Sequence, residues 1–344
     1  MYEIENLRLM AEEGEAMAQF LLGVFYYGDE GMEHDFKEAA KWFRKAADQE
    51  NCHAQFTLGA MYLKGEGVKQ DFKEAERWLK LSADQENRDA QYLLGVMHVQ
   101  GEGVSRDFKE AVRCLSLAAD QGHSEAQYYL GTMYDNGVGV KQNSKEAVKW
   151  FKMAAEEGNP DAQYNLGSMY SDGEGVKQDS KEAVKWYKLA ADQGNLDAQN
   201  NLGTIYSNGE GVKQNYKKAV NCYRLAADLG NPEARYNLGT MYEAGNGVKQ
   251  DYKAAAKWFK LAAEQGHAMA QFNLGAMYAT GEGVEKSLEQ AYFWFLIVSD
   301  NAEDELDDDE YELANENCDF IALDLSSSQI KRIQKKAAAW KPTP

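Results

Sequence analysis

The chain is poor in proline and cysteine, and it lacks any long apolar run. Its 344 residues include four prolines and four cysteines. The cysteines have no CxxC spacing, which argues against a disulfide framework or a zinc site built from paired cysteines. No apolar run is long enough to span a bilayer. We therefore expect neither a disulfide-stapled domain nor membrane insertion. The cysteines are Cys52, Cys114, Cys222 and Cys318.

Positive charge is also scarce. Lys and Arg total 37 against 56 Asp and Glu, a formal net charge of −19. Such an acidic surface disfavours nucleic acid and anionic membranes as partners, and we expect neither.

The N-terminal segment MYEIENLRLMAEEG has no apolar core typical of a signal peptide. We expect a cytoplasmic protein, with secretion or a periplasmic location as the alternative if a signal peptide has been removed.

One segment, AQYNLGSMYSDGEGVKQDSKEAVKWYKLAADQGNLD at 162–197, recurs along almost the whole chain. Its first alanine returns every 36 residues, without insertion or deletion. A unit of this size cannot bury its apolar face alone, so the units must stack into a solenoid. Stacked units present an extended surface, which favours binding over catalysis. The recurring alanines are Ala18, Ala54, Ala90, Ala126, Ala162, Ala198, Ala234 and Ala270.

Each unit is predicted to contain two helices. Ala162, Leu166 and Tyr170 lie on one face of the first helix, and Gly167 lies inside that helix despite its poor helix propensity. We expect this glycine, which recurs in every unit, to mark a close approach of the partner helix. The segment Gly173–Val176 is a turn whose glycines allow positive φ.

The second helix begins after Asp179. We expect Asp179 and Glu182 to form a capping box, which recurs as Asp71 and Glu74 in an earlier unit. The following apolar face includes Trp186, a position held by Cys114 and Cys222 in two other units. Core packing is the expected role of those two cysteines.

The pattern A-Q-x-x-L-G-x-x-Y-x-x-G-x-G-V-x-x-D-x-x-x-A-x-x-W-x-x-x-A-A-x-x-G resembles the Sel-one-like repeat family, which is related to the tetratricopeptide repeats. The resemblance implies an all-α, right-handed α-solenoid of about eight repeats with terminal caps. It also implies an adaptor that holds other proteins together, often at bacterial host–pathogen or envelope interfaces. We expect a half-repeat cap at 1–17, eight repeats at 18–301, and capping helices at 302–344.

The eighth unit departs from the pattern because its second helix, from Phe293 to Val298, is apolar nearly all round. We expect the non-repeating tail to cover this apolar helix. We expect an acidic helix near Glu303–Ala322 and a second helix near Ser327–Trp340, begun by a capping box of Ser326 and Gln329. The tail residues available for docking are Ile330, Ile333 and Trp340.

No catalytic motif is present. The GEGVK turn lacks the Gly-Lys-Ser/Thr ending of a P-loop and follows a helix rather than a strand. The histidines show no metal-ligand spacing, and no Ser-His-Asp arrangement is recognisable. We expect no enzyme, no catalytic residues, no cofactor and no metal site. The five histidines are His34, His53, His98, His123 and His267.

Two charged features have alternative interpretations. The acidic run Glu303–Glu310 fits a solvated helix face better than a calcium loop or a site for a basic partner. Lysines also recur at two repeat positions, either as solvated cover or as a ridge that contacts an acidic partner. The first position holds Lys37, Lys73, Lys109, Lys145, Lys181, Lys217 and Lys253; the second holds Lys69, Lys141, Lys177, Lys213 and Lys249.

The candidate binding residues occupy the fourth position of the repeat, on the first helix. The resemblance to tetratricopeptide-like solenoids places first helices on the concave surface. Asparagine can donate to and accept from a peptide backbone at once, so an amide-rich surface could hold an extended segment. The alternative is that these amides bond their neighbours. The proposed partner-binding residues are Leu21, Leu93, Tyr129, Asn165, Asn201, Asn237 and Asn273.

These patterns predict a protein-binding scaffold, expected to be monomeric, that takes a partner protein or extended peptide on its concave surface. A regulatory or assembly subunit of an enzyme complex is the first alternative. A hydrolase that uses surface carboxylates is less favoured, because no motif supports it.

Overall fold

A computed structural model describes residues 2–28, 34–301 and 308–343, which form nineteen helices and no strand. The chain divides into two units, 1–178 and 179–344. Unit 1 contains α1 (Tyr2–Glu12), α2 (Ala16–Tyr27), α3 (Phe36–Ala47), α4 (Cys52–Lys64), α5 (Phe72–Ala83), α6 (Arg88–Gln100), α7 (Phe108–Asp120), α8 (Ser124–Asn136), α9 (Ser144–Glu156) and α10 (Pro160–Asp172). Unit 2 contains α11 (Ser180–Asp192), α12 (Leu196–Asn208), α13 (Tyr216–Asp228), α14 (Pro232–Ala244), α15 (Tyr252–Glu264), α16 (Ala268–Thr280), α17 (Leu288–Asn301), α18 (Asp308–Ala322) and α19 (Ser327–Ala338).

Among the repeats of each unit, first and second helices alternate, and helices that follow each other in the chain pack together. In the tail, α18 and α19 both pack on α17. In unit 1, Phe43 of α3, Leu58 and Met61 of α4 and Trp78 of α5 share one buried core cluster. The second helix of a repeat therefore contributes to the core of the repeat before it. The predicted all-α solenoid of helix-turn-helix repeats is confirmed.

The two glycines of each turn have different tasks. Gly65 ends α4 in the left-handed region with φ of 75°. Gly67 also has positive φ, and a Cβ at that position would lie 2.0 Å from the carbonyl oxygen of Phe36 in the preceding second helix. The first glycine therefore serves the turn and the second allows two repeats to approach.

The glycine inside each first helix faces a large side chain. A Cβ on Gly131 would lie 2.7 Å from the ring of Phe151, and one on Gly203 would lie 2.5 Å from the ring of Tyr223. The close approach expected from the sequence is confirmed at these positions. The neighbour that needs the space is a side chain of the second helix.

The predicted capping boxes of the repeats are only half right. The Asp71 side chain accepts hydrogen bonds from the backbone N–H groups of Lys73 and Glu74. The reciprocal bond is missing, because the Asp71 N–H donates instead to the carbonyl oxygen of Tyr62 at 3.1 Å. Asp179 likewise accepts from the N–H of Glu182 and forms no complete box.

The tail packs against the last repeat. Ile321 of α18 and Ile333 of α19 belong to the same buried cluster as Phe295 of α17, and the Trp340 ring lies 6.2 Å from that of Trp294. The predicted capping box at the start of α19 is confirmed, with the Ser326 N–H donating to Gln329 Oε1 at 2.9 Å. Most of the acidic run predicted to form a solvated face, 303–307, lies outside the described residues.

Candidate binding surface

An apolar face lies uncovered on α2 in unit 1. Met17, Leu21, Val24 and Phe25 occupy one side of this helix and are 51%, 45%, 46% and 38% exposed. Their spacing of i, i+4, i+7 and i+8 puts them on one face. Leu21, a predicted binding residue, lies within this group. The face consists of neighbouring side chains, whereas isolated exposed leucines are normal on protein surfaces.

The other two apolar candidates of unit 1 are less accessible. Leu93 is half-buried and packs against the core cluster that contains Leu94. The Tyr129 ring lies edge-on to Tyr92 with ring centroids 6.0 Å apart, and Tyr92 in turn stacks on His123. These two predicted residues therefore contribute to contacts between repeats, and Leu21 is the most exposed of the three.

One asparagine of the predicted column in unit 2 bonds another first helix. Asn201, Asn237 and Asn273 are half-buried at the same position of α12, α14 and α16. Asn237 Nδ2 donates to Oδ1 of Asn200 at 3.0 Å. The interpretation that these amides bond their neighbours therefore holds at Asn237. Each amide still has further donor or acceptor capacity for a ligand.

In unit 1, Asn165 of α10 is half-buried at the equivalent position. Asn200, the partner of Asn237, was not among the residues predicted from the sequence. It stands at the third position of its repeat, which is aromatic in the other seven repeats. That departure from an aromatic column was the signal that could have identified the Asn200–Asn237 pair.

Like-charged carboxylates meet where a first helix ends beside the next turn. Burial, together with the nearby charge of Glu174, raises the pKa of Asp135, and Oδ1 of Asp135 is buried without a hydrogen-bond partner. Burial and Glu282 raise the pKa of Glu243 in the same way in unit 2. At the equivalent place in the first repeat, the Tyr27 hydroxyl donates to Glu66 at 2.7 Å.

The lysines of both columns identified in the sequence are exposed. None of them forms an ion pair within the described part of the chain. The paired lysines belong to other positions, such as Lys149 beside Glu146. The charge of the lysines in the two columns is therefore available to solvent or to an acidic partner.

The described residues contain no group of three or more His, Cys, Asp or Glu side chains that could hold a metal ion. In the same part of the chain, every helix is too short or too polar to cross a membrane.

His123 and His267 cap α8 and α16, each accepting the N–H of the residue three positions on. Burial raises the pKa of Cys114 to about 11 and that of Cys318 to about 12, so both thiols are neutral at pH 7.

Paired helices repeated at a fixed period define an α-solenoid repeat protein. The family model described as Sel1 repeat matches residues 16–51, 52–87, 88–123, 124–159, 160–195, 196–231, 232–267 and 268–298. The chain belongs to the Sel1 repeat family.

Two solved structures are similar to this chain. The crystal structure of a Sel1 repeat protein from Oxalobacter formigenes is 34% identical, covers 91% of this chain and 89% of its own, and superposes with a TM-score of 0.68. The protective antigen c5321 of uropathogenic Escherichia coli is 30% identical over 98% of this chain and 94% of its own, with a TM-score of 0.37.

A putative sel1-like repeat-containing protein, L18 of Acanthamoeba polyphaga mimivirus, is 43% identical over 47 residues. That match covers 14% of this chain and 8% of the viral protein. The similarity therefore concerns little more than one repeat.

Proposed function

We propose that this chain is an adaptor that binds a partner protein or an extended peptide on the surface formed by the first helices of its repeats. The resemblance to tetratricopeptide-like solenoids assigns that surface to the concave side. Solenoids of stacked repeats use such extended surfaces for binding, and the Sel1 repeat fold is typical of interaction scaffolds. The absence of enzymatic activity is part of the same proposal.

The observation that carries the proposal is the uncovered face of α2. Four neighbouring apolar side chains, each more than a third exposed, are costly to leave in water unless a partner covers them. In unit 2, Asn201, Asn237 and Asn273 supply amide groups at the same position of successive first helices. We assign apolar anchoring of the partner to α2 and backbone hydrogen bonding to the amides.

The test is crosslinking of the full chain in its native cell, followed by mass spectrometry and affinity measurement with the partner identified. The Leu21→Glu variant is expected to weaken binding at least tenfold, because it places a charge at the apolar contact. The quadruple variant of Asn165, Asn201, Asn237 and Asn273 to Ala is expected to weaken it to a similar degree, with the helical content unchanged by circular dichroism.

A matched control is Leu225→Glu. Leu225 is 58% exposed but lies on α13, a second helix. Unchanged affinity with Leu225→Glu and lost affinity with Leu21→Glu would support the first-helix surface. The reverse result would move the binding site to the second helices, and turnover of a substrate by the purified chain would reject the adaptor function.

A further inference from the structure

A cavity of ≈ 190 Å³ lies between α5, α6 and α7 of unit 1. Ala83, Leu94 and the buried thiol of Cys114 form its apolar part, and Lys80, Glu110 and Arg113 bring charge to it. His98 also lines it, with a buried Nδ1 that has no hydrogen-bond partner. Leu117, 42% exposed, borders the opening to solvent. A cavity of about 150 Å³ is large enough to bind benzene in a protein interior.

Two residues that depart from the repeat pattern account for this cavity. Cys114 stands at the position that holds Trp in six of the eight repeats, and His98 at the position that holds Tyr in the other seven. Both replacements are smaller than the residues of the pattern, and both side chains line the same cavity. The cavity therefore corresponds to the space that an indole ring fills in the neighbouring repeat.

The preceding repeat shows how that indole is held. Trp78 is 2% exposed, and its Nε1 donates to Glu74 Oε2 at 3.1 Å. The guanidinium carbons of Arg77 and Arg44 lie 4.8 Å and 5.6 Å from the Trp78 ring centroid. A cation at this distance from an indole face is attracted by the ring quadrupole.

Every group that holds Trp78 has a counterpart at Cys114, one repeat later. Glu110 stands where Glu74 does, Arg113 where Arg77 does, and Lys80 where Arg44 does. The guanidinium of Arg113 donates to both carboxylate oxygens of Glu110, the shortest N···O distance being 2.6 Å. That bond lowers the pKa of Glu110 and keeps an ionised acceptor at the cavity.

The second cysteine of the tryptophan column lacks two of these three groups, the acidic one and the guanidinium. At Cys222 the counterpart of Glu110 is Lys218, whose ammonium lies 5.1 Å from the Tyr206 ring. The counterpart of Arg113 is Asn221. An ammonium cannot accept an indole N–H, so Cys222 supplies a matched comparison within the same chain.

We propose that the cavity at Cys114 is a binding site for an indole ring, supplied by a tryptophan side chain of a partner protein. The ring takes the place that Trp78 holds one repeat earlier, its N–H donates to Glu110, and Arg113 and Lys80 pack on its face. The tryptophan source rests on the proposed adaptor function, whereas the affinity for the indole ring does not.

The test is ligand-observed ¹⁹F NMR with the full chain and 5-fluoroindole as the probe. Saturable binding is expected, with Kd on the order of 1 mM or lower, the range of a small aromatic ligand in a partly apolar cavity. N-acetyl-5-fluorotryptophan amide, which carries the ring as a peptide does, is expected to bind with similar affinity. 5-Fluoro-1-methylindole, which lacks the N–H, is expected to bind several-fold more weakly.

Three variants locate the site. Cys114→Trp fills the cavity and is expected to weaken 5-fluoroindole binding at least tenfold, and Cys222→Trp to leave it unchanged. Cys114→Leu, a smaller filling, replaces Cys114→Trp if the latter does not fold by circular dichroism.

Absence of saturable 5-fluoroindole binding, or binding that survives the filled cavity, would overturn the proposal and leave the adaptor function intact. Equal affinity for the methylated ring would overturn the indole assignment. Binding of 5-fluoroindole without the tryptophan amide would overturn the partner tryptophan as its source.

Discussion

The side chain of Asn237 donates from Nδ2 to Oδ1 of Asn200 at 3.0 Å and so joins the first helices of two successive repeats. Asn200 is 7% exposed. Its position is aromatic in the other seven repeats, so one polar residue has entered an apolar column together with a polar partner. A buried amide of this kind is costly unless it is hydrogen-bonded.

Asn237→Ala is expected to lower the free energy of unfolding by about 1–3 kcal/mol, because it leaves the Asn200 oxygen buried without its donor. Urea unfolding followed by circular dichroism measures the change. In a double-mutant cycle with Asn200→Ala, the two losses should couple by at least about 0.5 kcal/mol. Strictly additive losses would show that the bond contributes nothing to stability.

Gly131→Ala sets helix propensity against packing. Propensity alone predicts a gain of about 1 kcal/mol. We expect a loss of about 1–3 kcal/mol instead, because the new Cβ would lie 2.7 Å from the Phe151 ring and force it to move. Thermal unfolding gives the sign. Asn136→Ala, at an exposed position of the same helix, is the control and should stay within about 0.5 kcal/mol.

The tail is predicted to act as a structural cap. Deleting residues from Asp300 to Pro344 should uncover the core cluster around Phe295 and cause aggregation or a large stability loss. Ile333→Ala should cost about 2–5 kcal/mol, since Ile333 is 5% exposed within that cluster. Lys331→Ala, exposed on the same helix, is the matched control. A truncated chain that stays monomeric with an unchanged melting temperature would contradict the cap.

Asp135 gives a prediction with a defined pH direction. The pKa of Asp135 is raised in the folded state, so its protonated carboxyl favours folding. This contribution to the free energy of unfolding is present below the unfolded pKa and is lost as pH rises through the folded pKa. Asp135→Asn should therefore stabilise the chain at pH 7, on the order of 1 kcal/mol, by removing a partly buried charge beside Glu174. Melting curves of both proteins should converge near pH 3. A gain that persists unchanged in acid would contradict the electrostatic cause.

The repeat by itself determined the helices, the turns between them and the stacking of units. Those properties follow from short-range chemistry: the glycine that ends α4, the apolar positions on one helix face, and Asp71 as the residue that caps α5. The interior glycine of each first helix also indicated a close approach of the partner helix, because an unfavourable helix propensity recurs there in every unit. The same pattern carried the family assignment.

Contacts between repeats were decided only by the tertiary structure. The capping box at Asp71 is incomplete because the Asp71 N–H donates to the carbonyl oxygen of Tyr62 instead of to the Glu74 side chain. Asn237 bonds Asn200, and Cys114 borders a cavity, because stacking places one repeat's side chains against those of the next. A sequence column shows which residues recur at a position. Which neighbour a side chain meets, and whether it fills the space there, depends on the three-dimensional packing of repeats, where a single smaller residue leaves a void.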